Sequence, residues 1–237
     1  MNALRPPATV SRSPVSGFTL LELLVVIALL STLLVVVRSG RGGGGQAAAL
    51  QSAQATLVNL LTAARAKAMA RGQSVRILVQ IDATSANEPS RFLHYVALQT
   101  QTAGGWQTSS EAYLPEGVYV VPGNFATIPA GLFAPNLATP WNKTDGSALR
   151  STALRSNQIS NELINSSRTE QWVSITLAAE TGTVQSGDFI LASGRRRPPG
   201  TFQAGESPVE LINPENVRGL TLSSYGVPAL INNRSSF

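Results

Sequence analysis

The chain has 237 residues, enough for one ordinary domain plus a membrane helix, or for two small domains. Eighteen Lys and Arg stand against thirteen Asp and Glu, a balance that does not describe a dedicated nucleic-acid binder. No cysteine is present, which excludes disulfides, thiolate metal sites and cysteine nucleophiles.

Gly17 precedes an apolar run from Phe18 to Val37. As a helix this run would span ~30 Å, the thickness of a bilayer's hydrocarbon core. Thr19, Ser31 and Thr32 add hydroxyls, but the only charge inside is Glu22. A lone acid there costs about 2.5–3.5 kcal/mol, and the many Leu, Val and Ile residues each return a few tenths. The segment therefore tolerates Glu22, yet the residue needs a reason to be there. An ordinary secretory signal has a shorter apolar stretch followed at once by small residues. Here Ala47-Ala48-Ala49 lies well beyond the run. A plain signal anchor leaves both Gly17 and Glu22 unexplained.

The run Gly17-Phe18-Thr19-Leu20-Leu21-Glu22, continued by Leu23-Leu24-Val25-Val26-Ile27, resembles the amino-terminal signature of type IV pilins and type II secretion pseudopilins. The resemblance implies a leader, residues 1–17, removed by a prepilin peptidase that then methylates the new amine of Phe18. It implies a transmembrane helix over residues 18–37, in which Glu22 pairs with the terminal amine of a neighbouring subunit in a filament. Local chemistry agrees. Glycine leaves a protease cleft unobstructed, and Glu22 lies four residues from the new cation, on the same helix face. Arg5 and Arg12 precede the run and Arg38 and Arg41 follow it, so charge alone does not orient the span. The resemblance places the leader in the cytoplasm and the head in the periplasm, on a single pass through the inner membrane. Family members usually carry Lys or Arg close to the glycine; here Ser13-Pro14-Val15-Ser16 intervene.

Residues 38–46 are glycine-rich, and each Gly costs up to ~1 kcal/mol in a helix; a flexible joint is expected. Residues 47–72 read as an amphipathic helix. Leu50, Ala53, Leu57, Leu60, Leu61, Ala64 and Ala68 form one stripe, with Gln51, Gln54, Asn59, Thr62 and Arg65 mostly off it. Gly72 is the expected C-cap.

Residues 73–237 read as a β-rich head. Strands are expected at Ser74–Ile81, Arg91–Gln101, Val118–Val121, Trp172–Leu177, around Val184, at Phe189–Ala192 and at Val217–Ser223. Gly104-Gly105 suggests a hairpin turn into Trp106. Residues 122–141 form a long Pro- and Gly-rich excursion, and a short helix is expected near Ile159–Ile164. The pattern gives an α+β fold with an antiparallel sheet. The junction from Ala63 to Val75, and Leu114-Pro115-Glu116-Gly117-Val118, resemble the minor pseudopilins that cap type II secretion pseudopili and the minor pilins of type IV systems.

Little here points to catalysis. His94 is the sole histidine, placed within an expected strand and read as structural. Asp82, Glu88, Asp145 and Asp188 are scattered and match no metal loop. No cofactor is called for. Arg195-Arg196-Arg197-Pro198-Pro199 is the one basic cluster, read as a loop that either is a solvated turn or binds an anion. The expected function is that of a non-enzymatic pilin-like subunit for a type II pseudopilus or type IV pilus. Its expected partners are the prepilin peptidase/methyltransferase, sister subunits and membrane lipid. Two alternatives stand beside it: a minor pilin that binds DNA for uptake through those arginines, and an exported enzyme on a signal anchor.

Overall fold

A computed structural model describes Leu24, residues 44–84 and residues 90–237. The chain divides into two compact units, residues 1–42 and 43–237. Apart from Leu24, the expected span 18–37 lies outside the described residues. No helix among the described residues is long and apolar enough to cross a membrane.

The second unit begins with helix α1, Gly44–Arg71. It starts three residues before the expected position, so residues 44–46 of the anticipated joint are helical; the rest of that joint lies outside the described residues. Gly72 follows at φ +60°, the left-handed conformation that closes a helix without a Cβ clash.

Ten strands follow: β1 Val75–Gln80, β2 Tyr95–Thr102, β3 Gly105–Tyr113, β4 Val118–Val120, β5 Ile159–Glu162, β6 Glu170–Leu177, β7 Gly187–Arg196, β8 Val209–Leu211, β9 Val217–Leu222 and β10 Pro228–Ile231. They form two antiparallel sheets, ordered β3-β2-β1-β6-β5 and β10-β9-β7-β4, with β8 pairing the far end of β7. The α+β expectation therefore holds, with two sheets in place of one. Helix α1 packs on β1 and β6 of the first sheet and on β4, β7, β9 and β10 of the second.

Alternation explains the first sheet. Ile77 pairs with Leu98 and Ile175, and Val79 with Val96 and Val173, so the centre of one face is aliphatic. That face joins Leu50, Leu57 and Leu61 of α1 in the main core. The opposite face is covered too: Leu78, Tyr95, Ala97, Ile164 and Trp172 make a smaller buried cluster. This double coverage is why β1 is buried at every position.

Several expectations are corrected. In the Ile159–Ile164 segment the first four residues, Ile159–Glu162, are strand β5, preceded by a 3₁₀ turn at Ser156–Gln158. The free edge of β6 captures it, Ile159 opposite Val173 and Glu162 opposite Glu170. Tertiary pairing overrides a weak local preference. Arg91–His94 is a turn, with Leu93 at φ 55°, so β2 starts only at Tyr95. The amides of His94 and Tyr95 both donate to Arg91 O, at 3.0 and 2.9 Å. Val184 lies in no strand; its amide donates to Ser224 O at 2.9 Å in a neighbouring loop. Gln54 is buried, not off the stripe. Its Nε2 donates to Gly219 O at 2.5 Å and Ile231 O at 3.0 Å, tying α1 to β9 and β10.

Candidate functional site

Gly17, Phe18 and Glu22 lie outside the described residues, so the processing and assembly positions have no geometry here. The arginine cluster does. Arg195 and Arg196 belong to the end of β7 and Arg197 follows directly, so the run is largely strand and not the loop expected. Period-two alternation then sends neighbouring side chains to opposite faces. Gly194 begins this stretch because Tyr119 crosses it closely: a Cβ there would sit 2.5 Å from Tyr119 Cδ2.

Two of the three arginines carry carboxylates. Arg195 donates through Nε at 3.0 Å and Nη2 at 2.9 Å to one oxygen of Glu210, its cross-strand partner on β8. Arg197 lies 3.6 Å from Glu206 and donates to Gly131 O at 2.6 Å. The guanidiniums thereby hold β8 and the 122–141 excursion against β7. Leu211 N donates to Leu132 O at 2.7 Å and Ser207 N to Ala130 O at 2.8 Å in the same seam. Only Arg196 brings charge without a carboxylate partner in this set. A cluster with two of its three charges already met is a weak field for a phosphate backbone.

Arg196 stands near His94 and Tyr119. His94 sits in the turn before β2, not in the strand, and its Nδ1 lies 2.8 Å from Val118 O. A carbonyl only accepts, so Nδ1 carries the proton. The ring lies 5.3 Å from Tyr119 and 5.9 Å from Tyr113. Burial is the main cause that lowers the His94 pKa; the Val118 carbonyl opposes it, and Arg196 adds to the lowering. Burial likewise raises the Tyr119 hydroxyl, with Arg196 opposing. A neutral imidazole fixed by a backbone carbonyl and two tilted rings is a packing element. Among the described residues no serine or carboxylate hydrogen-bonds it to form a relay.

The most densely built polar site went unnoticed in the sequence. Arg91 and Glu170 are both almost wholly buried, 3.2 Å apart. Arg91 also donates to Ile164 O at 2.7 Å and Asn165 O at 3.2 Å, and stacks over Tyr95 at 4.2 Å. Nearby, Arg76 donates to Gln99 at 2.8 Å and Glu162 at 2.6 Å, beneath the Trp106 ring at 4.3 Å. The β5–β6 register sets Glu162 opposite Glu170, a like-charge pair. Each is met by its own arginine. Tyr95 donates to Glu111, and burial above all pushes its hydroxyl pKa up to about 12. The one advance signal was an arginine beginning an apolar run, Arg91-Phe92-Leu93.

Asp82 pairs with Arg168 at 3.5 Å and accepts from Thr84; Asp145 caps the Ser147 turn, and Asp188 accepts from Thr221. Glu88 lies outside the described residues. Among the described residues no group of three His, Asp or Glu is placed to hold a metal ion.

Residues 12–37 match the family model described as the prokaryotic N-terminal methylation motif. The amino terminus of the chain thus carries a prokaryotic N-terminal methylation motif; the match covers that stretch alone. No curated protein matches the chain. Among solved structures it is similar to the minor pseudopilin EpsH of the Vibrio cholerae type 2 secretion system, at 17% identity, with TM-score 0.38, covering 78% of this chain and 96% of that one. It is also similar to the type IV minor pilin FimU of Pseudomonas aeruginosa, at 14% identity, with TM-score 0.35, covering 79% and 95%.

Proposed function

We propose that this chain is a non-enzymatic structural subunit of a type II secretion pseudopilus or type IV pilus, in the role of a minor pseudopilin or minor pilin. It is made as a precursor, cut after Gly17, methylated on Phe18 and held in the inner membrane by residues 18–37. Helix packing then draws it into the filament. Inside lipid that packing depends on van der Waals contact more than on the hydrophobic effect. Glu22 sets the stagger by pairing with the amine of a sister subunit, which turns a costly buried charge into a register device. The observation that carries this reading is the in-register run Gly17-Phe18-Thr19-Leu20-Leu21-Glu22 inside the matched stretch 12–37.

Intact-mass and terminal-peptide mass spectrometry of the protein from its native host tests it. A chain beginning at a methylated Phe18 is the expected result. A chain beginning at Met1, or near Gln46, overturns it. The partners on this reading are the prepilin peptidase, sister subunits and inner-membrane lipid.

A further inference from the structure

Helix α1 turns one face away from the two sheets. Ala66, Met69 and Ala70 on that face, with the half-buried Val58 beside them, border a groove of about 710 Å³, closed on the other side by Val227 and Pro228 at the start of β10. Met69 is 49% exposed, and Val227, Leu230 and Tyr225, neighbours on the β9–β10 hairpin, are 49%, 58% and 69% exposed. Large apolar side chains gathered like this mark an interaction surface. The hairpin contributes more than apolar area. β10 is the edge of its sheet, its sequence Pro-Ala-Leu-Ile carries no charge, and its outer side has no strand partner. Such an edge is a template for another strand unless charge or a bulge blunts it.

The groove also holds a cation. The stem of Arg65 lies across the turn glycines, its Cγ 3.1 Å from where a Gly182 Cβ would be and its Cδ 3.6 Å from that of Gly226. Its Nε is buried with no hydrogen-bond partner, and no carboxylate among the described residues pairs with it. An edge strand beside a helix, with an apolar trough between them and an unmatched guanidinium in it, has the makings of a strand-addition site. Main-chain bonds to β10 would give affinity. Alternate side chains would enter the trough, and a carboxylate would meet Arg65.

We infer that the groove between α1 and β10 docks an extended apolar peptide segment of another protein, one that bears a carboxylate placed to pair with Arg65. This goes beyond the filament reading and does not depend on it.

The test uses the full-length chain in detergent, panned against a phage-displayed library of random ten-residue peptides. The expected consensus alternates apolar residues and carries Asp, Glu or a terminal carboxylate. Arg65→Gln should weaken the selected peptide by about tenfold or more and drop the acid from its own consensus. Leu230→Lys, which charges the edge, should abolish binding. Unchanged melting of both variants confirms that they are folded. The inference is overturned if no peptide is enriched, or if Arg65→Gln selects the same acidic consensus. It is equally overturned if this face joins two copies of the chain, seen as a dimer that Leu230→Lys dissolves. None of these outcomes touches cleavage after Gly17, so the two readings fail separately.

Discussion

Arg91 shows how one side chain can decide whether a layer holds. It is enclosed by Glu170, two backbone carbonyls and the rings of Tyr95 and Trp172. Removing it strands a buried carboxylate, so Arg91→Ala should cost about 3–5 kcal/mol. Urea unfolding would measure this; a loss under about 1 kcal/mol, the scale of a surface pair, would show that water already reaches Glu170. The double variant Arg91→Met, Glu170→Leu should recover part of the loss and not all, because Ile164 O and Asn165 O lose their donor. His94 makes a second residue-scale prediction. Its folded pKa lies below the ordinary 6.5, chiefly through burial. The unfolded chain therefore takes up a proton that the folded chain refuses. This contribution to stability is complete above about pH 6.5, declines as pH falls toward the depressed folded value, and is level below it. His94→Gln, which keeps a donor for Val118 O, should flatten the denaturation midpoint over about pH 7.5 to 5.5. An unchanged slope would assign that slope to other groups.

Among the elements, α1 and its buried glutamine join the two sheets. Gln54 satisfies carbonyls on both β9 and β10. Gln54→Leu fills similar space without donors and should cost about 1–3 kcal/mol in a thermal or urea melt. No loss would mean that the strand ladder already satisfies both carbonyls. Gly219 is itself required by the close β7–β9 approach, since a Cβ there would stand 2.1 Å from Phe189 O. Elements were legible wherever their own periodicity decided the outcome. The α1 stripe, β1, β6 and the β2–β3 hairpin were of this kind. They failed to be legible where a distant partner decided it. β5 exists because β6 offers an edge; β8 and β10 are three- and four-residue strands next to prolines, with no pattern long enough to read. The arginine run looked like one positive patch because sequence shows charge but not parity. Strand alternation separates it, and Glu210 and Glu206, well downstream of Arg195 and Arg197, could be matched to them only through the fold. Arg65 hid in the same way, as an ordinary polar position on a helix.

At the scale of the whole molecule, the chain joins a stretch that matches the N-terminal methylation motif, residues 12–37, to a domain built on its own core. The motif was fully readable because it is local, a fixed order of adjacent residues. The proposed function predicts a separation of two defects. Glu22→Gln should still be cut after Gly17, because the scissile bond is intact, yet should fail to enter filaments. Mass spectrometry of the membrane fraction together with immunoblots of sheared filaments would check both. Normal incorporation of this variant would remove the pairing role of the acid.

Helix α1 lies along strands of both sheets at once. A pull delivered at Gly44 along its axis would therefore slide the helix against all of those strands together, and no single strand would peel away first. Load shared in parallel breaks at higher force than load met one bond at a time. The seam that completes this core is also what would let the head bear tension from its amino-terminal end.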